Sequence, residues 1–407
     1  MPKRRRFTAL VVFAVASSLV LAGCGGASTG SNGDDTVDIL VLTPLSGPAA
    51  TLGQTTKDAV EAAVKVVNKE GGILDRDVKV TFEDDRFDPV TAQQVLREAL
   101  NSDNPPDLVL PGATSRVAVP LMPLLTQKKV LSMTNSGSPL ANDPKKFPYG
   151  FGLLAPADDY EEPIIKRLSE QGVTKVGAIV SAEESGTIAA DAMARQAKEY
   201  GVEIAFEKID AEAVDATSEL SRLKRDNPGA LIAEGLTSPA TLGVVLNSKS
   251  KLGWDVETYF GQTNAANGIE KGTEEQIRGN FVQSAAISVR GSDLQQTDDF
   301  KTFQTAVDAE SATKNYPLFV SALNYSAVLA LRAGAEEAGS LDSTKVAKAI
   351  ESFETAEDIP GWFLTTNPGF SADRHQPVWD PEKDFAVAKL GYPGYDPTSG
   401  LFLPEGS

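Results

Sequence analysis

Cysteine and histidine are almost missing from this chain. Its 407 residues include one Cys, Cys24, and one His, His375. A lone cysteine excludes any disulfide within the chain, and one Cys with one His excludes the Cys/His zinc spacings. A Ser–His–acid triad would have to use His375, in "FSADRHQPV", and no G-x-S-x-G elbow presents a nucleophile to it. No P-loop pattern occurs, and "EGGILDRD" reads as a turn rather than a dinucleotide fingerprint. Positive charge is also scarce. Lys and Arg number 38 against 56 Asp and Glu, a formal charge of −18. That surface argues against nucleic acid, whose binders need a basic face.

What is present begins with "MPKRRRFTALVVFAVASSLVLAGC". Lys3, Arg4, Arg5 and Arg6 form a basic segment, and Phe7 to Ala22 carries no charge. The apolar part is too short to span a bilayer comfortably and fits an export signal. Leu21-Ala22-Gly23-Cys24 looks like a bacterial lipobox, which makes Cys24 the expected lipidation site. Cleavage before Cys24 removes residues 1–23 and their four cations, so the remainder is more acidic still. One acyl chain holds a protein at a membrane only marginally, so the expected anchor carries two or three. Residues 24–35, Gly/Ser-rich and ending in Asp34-Asp35, read as a flexible tether. No second long apolar run follows, which predicts a soluble body held outside the cytoplasmic membrane.

From Thr36 the apolar period alternates between that of buried strands and that of helices. "VDILVLT" (37–43) is a β-branched apolar run of the kind a parallel sheet buries on both faces. Val60, Ala63, Val64 and Val67 then fall on one helical stripe within 53–70. "DVKVTFEDD" returns to strand alternation, and Asp88-Pro89 reads as the cap and first residue of the next helix. "DLVLPG" is a third strand, Ser115 to Gln127 a third helix and "VLSMT" a fourth strand. The rhythm restarts after residue 155 with strands at "KVGAIVS", "VEIAFEKI", "GALIAEG" and "VETYFG" and helices at 187–200, 217–226 and 239–252. Two successive βαβα runs predict an α/β protein with two doubly wound parallel-sheet lobes.

In such sheets ligands bind outside the carboxyl ends of the strands. Those ends read "TPLSGPAATLG", "PGATSR", "TNSGSPL", "SAEESG", "EGLTSPA" and "GQTNAANG". They are rich in Ser, Thr, Asn and Gly and poor in charge. Any one of them is an ordinary turn or helix cap. Six along one edge predict a pocket lined by hydroxyls and helix N-termini, suited to a carboxylate or carbonyl oxygen. Glu83-Asp84-Asp85 is the densest acidic group and reads as a solvated strand end.

Several of these stretches together resemble the extracytoplasmic solute-binding proteins of the leucine/isoleucine/valine type, which have the periplasmic binding protein type I fold. They are "PLSGPAATLG" (44–53), "VNKEGGILDRDVKVTFEDDRFDPVTA" (67–92), "SPL" (138–140), "APADDY" (155–160), "ALNYSAVLAL" (322–331) and "NPGFSADR" (367–374). The resemblance implies two lobes joined by a three-strand hinge, with crossings near 152–156, 284–288 and 360–366. Lobe one is expected over 36–153 and 285–362, and lobe two over 154–284 and 363–407. It also implies a ligand pocket at Leu52, Ser115, Ser136 and Ser138 in lobe one. In lobe two, Ser185, Thr237 and Thr263 stand where amino-acid binders of the family carry two aromatics and an acid for the ammonium. Thr263 cannot supply that charge, so free leucine, isoleucine and valine are expected to bind weakly, and Asp158, Asp159 and Glu234 are the acids available as substitutes. The function implied is a monomeric, lipid-anchored binder without cofactor or metal. It would deliver a small polar ligand, a branched-chain amino acid or a related carboxylate or amide, to the permease subunits of an ABC importer. The alternatives are a ligand-sensing surface receptor of the same fold and a secreted hydrolase.

Overall fold

A computed structural model describes residues 36–47, 49–236, 239–262, 269, 272–311 and 318–406. The export signal, Cys24 and the tether lie outside these residues, as do Thr237 and Thr263. The first sheet holds β1 (Thr36–Thr43), β2 (Asp77–Asp84), β3 (Leu108–Pro111), β4 (Leu131–Thr134) and β5 (Gly150–Gly152). Its order is β2-β1-β3-β4-β5, all parallel. Both faces of β1 are covered, as its apolar run requires. Val37, Ile39 and Val41 pack with helix α1 (Ala50–Lys69) and with the late helices, whereas Leu40 and Leu42 pack with α2 (Pro89–Leu100) and the residues after β3.

Asp88 caps α2 by accepting from the Thr91 N–H at 2.7 Å, as its place before Pro89 suggests. The helix expected over 115–127 is instead broken into α3 (Ser115–Ala118), a single 3₁₀ turn (Val119–Leu121) and α4 (Met122–Lys128). Pro120 and Pro123 lack the N–H groups that one continuous helix would need there.

The second sheet has β6 (Lys175–Ser181), β7 (Glu203–Ile209), β8 (Ala230–Glu234), β9 (Thr258–Gly261), β10 (Phe281–Ala285), β11 (Phe385–Asp396) and β12 (Leu401–Pro404). Its order is β7-β6-β8-β9-β10-β11-β12. Strands β6 to β10 are parallel, and β11 and β12 close that edge antiparallel. Helices α5 (Ala157–Glu170) and α6 (Glu184–Tyr200) cover one face, α7 (Thr217–Arg225) and α8 (Pro239–Lys251) the other. Periodicity assigns nothing to α5, because its first turns are acidic and Pro163 lies inside it.

The chain leaves the first sheet at Gly152 and starts α5 five residues later. It leaves the second sheet after Ala285, which pairs with Phe385, where β11 begins. All three crossings therefore stand at carboxyl edges of the parallel strands. The third crossing falls later than the expected 360–366. Phe363, Leu364, Phe370 and Trp379 remain in the apolar cluster of the first lobe, where Phe363 meets the rings of Phe300, Phe303 and Tyr325, and Phe370 those of Phe151 and Trp362.

One described helix, Leu318–Ala338, is long and apolar enough to cross a membrane by length and composition. It is the central helix of lobe one, with 83% of its apolar window buried against α1 and the helix Ser343–Ile350.

Candidate functional site

In each sheet the chain winds one way from the first strand and then the other. The reversals fall between β1 and β3 and between β6 and β8. These switch points, at the carboxyl edge, are where an open α/β sheet leaves a crevice for a ligand. At the first, Gly53 begins the packing. A Cβ at Gly53 would overlap the Pro44 carbonyl, so only glycine lets α1 start this near the end of β1. That approach places Leu52, half-buried, in the first turn of α1. Asp84 holds the same loop by accepting from Leu45 N–H at 2.9 Å and Ser46 Oγ at 2.5 Å.

Across the switch point stand the lobe-one serines. Ser136 Oγ donates to Ser115 Oγ at 2.8 Å and accepts from the Ser138 N–H at 3.1 Å. Ser115 is half-buried, whereas Ser136 and Ser138 are fully buried. Ser138 Oγ accepts from the Leu140 N–H at 3.3 Å, and Asn142 Nδ2 donates to the Ser136 and Ser138 carbonyls at 2.7 and 3.2 Å. The polar run after β4 is thus folded on itself, with the half-buried Ser115 hydroxyl at the end of the chain of hydrogen bonds. Asn135 Nδ2 donates to Asn324 Oδ1 at 3.0 Å, which ties this loop to the central helix of the lobe.

At the second switch point, Ser185 Oγ donates to the Gly235 carbonyl at 3.1 Å, bridging the first turn of α6 and the loop after β8. Beside them the lobe holds two buried acids. Glu234, the last residue of β8, is 6% exposed, and Glu161, in α5, is 2% exposed. Burial holds the Glu234 carboxyl up at about 7, against its bond from Gly235 N–H. Burial, then the nearby Glu234 and Asp158, holds Glu161 well above the usual carboxylate range. Tyr160 fixes this part of α5. Its hydroxyl accepts from Gln262 N–H at 2.7 Å and donates to the Gln283 carbonyl at 3.3 Å, and Gln283 returns bonds to the Tyr160 carbonyl and, at 3.0 Å, from Ile164 N–H.

Of the acids available to replace the one absent at Thr263, Asp158 is paired with Arg195 at 2.8 Å and Asp159 with Arg374 at 2.6 Å. Among the described residues Glu234 has no cation paired with it, and neither does Glu161. Glu234 was legible as an acid on a strand end. Glu161 and Tyr160 were not, because α5 itself escaped periodicity.

His375 lies away from this region. It is buried in lobe one, stacked on Phe151 at 4.0 Å, with Nδ1 facing the Gly150 carbonyl at 2.8 Å and Nε2 facing Glu351 at 3.1 Å. Among the described residues neither of its partners is a hydroxyl.

The profile of a periplasmic binding protein family matches residues 36–390. A Leu/Ile/Val-binding protein homolog from Brucella melitensis is 26% identical over 379 residues, covering 89% of this chain and 95% of its own. A periplasmic binding protein type 1 from Bordetella pertussis superposes with a TM-score of 0.74 at 21% identity, over 89% of this chain and 98% of its own. The branched-chain amino acid transporter substrate-binding protein of Streptococcus pneumoniae, in complex with isoleucine, gives 0.69 at 19% identity, over 88% and 97%. With two doubly wound sheets and this match along nearly the whole body, the chain belongs to the periplasmic binding protein family and is a solute-binding protein rather than an enzyme.

Proposed function

We infer that this protein is the lipid-anchored, extracytoplasmic binding subunit of an ABC importer. Its two lobes close over a small polar solute, a branched-chain amino acid or a related carboxylate or amide. The observation that carries this reading is the pair of switch points at carboxyl edges, with the Ser115–Ser136 hydroxyl pair beside the first and Ser185 with Gly235 beside the second. Neutral oxygens and N–H groups of this kind hold a ligand's polar end without chemistry, and contacts from both lobes favour the closed state. The Brucella relative's name and the isoleucine held by the pneumococcal neighbour support an amino-acid-sized solute. Leu52 and the two residues outside the described set, Thr237 and Thr263, are proposed to complete the wall. The moving bodies are proposed to be the first sheet with its late helices and the second sheet with α5 to α8. Cys24 is proposed to carry the lipid that keeps the binder beside its permease.

The test is a thermal-shift screen of the full chain against amino acids, amides, ureas and small organic acids, followed by titration calorimetry of each hit. At least one compound should raise the melting temperature and bind with one-to-one stoichiometry. A panel in which nothing binds would overturn the reading.

A further inference from the structure

The buried acids of lobe two sit in a defined row. Pairing places Val180 beside Glu234 and Gly261 beside Gln283, and Ala233 beside Phe260 puts Glu234 level with Gly261. This row lies at the carboxyl edge of the sheet, on the face covered by α5 and α6. Below it on the same face lie Ile232, Tyr259 and Phe281, packed against Ile164, Ile165 and Leu168 of α5. Gly261 has no side chain, and the Glu234 carboxylate fills that place, because a Cβ at Gly261 would overlap it. From the helix side, Glu161 stands next in sequence to Tyr160, whose hydroxyl bonds both strand ends of the row.

Among the described residues Glu161 Oε2 and Glu234 Oε2 are buried without a hydrogen-bond partner, and Glu234 Oε1 accepts from the Gly235 N–H at 2.8 Å. Among the described residues no Lys, Arg or His pairs with either, although Asp158 and Asp159 next to them are both paired with arginines. Two carboxylates buried together without a countercharge are strongly unfavourable unless they are protonated, and a cation brought to them would favour their charged form.

We propose that Glu161 and Glu234 receive the cationic nitrogen of the solute, a protonated amine or amidinium, at the second switch point. The proposal rests on the solute-binding reading of the cleft and narrows it to ligands that carry such a nitrogen. A divalent metal fits less well. Calcium and magnesium take six or more oxygen ligands, and no group of three metal-ligating side chains occurs among the described residues. An ammonium needs only a few acceptors, of which the two free Oε2 atoms supply two. The acids thus offer, at the end of β8 and in α5, the countercharge that Thr263 lacks.

The experiment uses matched probes on the full chain: isoleucine against 3-methylpentanoate, leucine against 4-methylpentanoate, and 4-aminobutanoate against butanoate. Affinities are measured by calorimetry for the wild type, Glu161→Gln and Glu234→Gln, with circular dichroism melts to show that each variant is folded. Should Glu161→Gln fail to fold, Glu234→Gln and Glu234→Asp carry the test. The expected result is that the amine-bearing member of a pair binds and its amine-free partner binds at least about tenfold more weakly. Glu234→Gln should then weaken the amine-bearing probe by about 10- to 100-fold and leave the amine-free one unchanged. Amine-free acids that bind as tightly as the amines, or amine affinity unchanged in the variants, would overturn this inference and leave the solute-binding reading standing. A wild type that binds none of the probes or screened compounds would overturn both.

Discussion

His375 and Ser115 show how far the role of a single residue depends on its surroundings. As the only histidine, His375 was the one conceivable base, yet it serves as packing and as a tie between β5 and Glu351. Truncation would remove the stack on Phe151 and both polar contacts in a buried place. His375→Ala is expected to cost about 3 kcal/mol, read as a lowered urea midpoint, without loss of affinity per folded molecule. Ser115 is the opposite case. Its half-buried hydroxyl ends the hydrogen-bond chain from Ser136, so Ser115→Ala leaves the buried Ser136 hydroxyl without its acceptor and should also cost about 1–3 kcal/mol of stability. It should weaken the best hit of the solute screen by roughly 1.5–3 kcal/mol if the hydroxyl meets a charged oxygen. Unchanged affinity by calorimetry would remove Ser115 from the site. The type of residue needed in lobe one, small and hydroxylated, was readable from "TNSGSPL". Which hydroxyls are occupied with one another was not, since Ser136 meets Ser115 across a separation of 21 residues.

At the scale of elements, strands were the most legible, because β1, β6 and β8 are buried on both faces and read as continuous apolar runs. Helices with a clear stripe and cap were nearly as plain. Those that failed did so for local reasons: Pro120 and Pro123 break the helix after β3, and acidic turns with Pro163 hide α5. The short edge strand β5 has glycine at two of its three positions and carries almost no signal. Caps give a direct test. Thr297 accepts from the Phe300 N–H at 3.2 Å and starts the helix Asp298–Glu310, which places Phe300, Phe303 and Val307 in the lobe-one core. Thr297→Ala should lower stability by about 1 kcal/mol in urea denaturation, and Thr297→Ser should restore most of it.

For the molecule as a whole, the buried acids of lobe two make stability depend on pH. The Glu234 carboxyl is raised from 4.5 in the unfolded chain to about 7 in the folded one, and Glu161 is raised in the same sense by burial beside it. A raised pKa means that the folded state binds the proton more tightly. The stabilisation is therefore complete below about 4.5 and is lost as pH rises through about 7. Without solute, the urea midpoint should fall between pH 5 and 8, and Glu234→Gln should flatten that fall. An identical slope in the variant would show that the loss comes from other groups. The proposed anchoring has its own test at this scale. Cys24→Ser should move the protein from the membrane fraction to the soluble one, with solute affinity unchanged.

The amino-acid order alone determined the alternation of strands and helices, the two-lobed α/β class, the absence of Cys/His chemistry and the polar character of the strand ends. These follow from apolar period, caps and composition, which are local and survive in one dimension. Only the tertiary structure decided that residues 363–379 stay with lobe one until Phe385, that Asp158 and Asp159 are neutralised by arginines, and that Glu161 and Glu234 lie together with no cation among the described residues. Each of these is set by packing between segments far apart in the chain. Burial and countercharge are properties of a neighbourhood, and a neighbourhood exists only once the chain has folded.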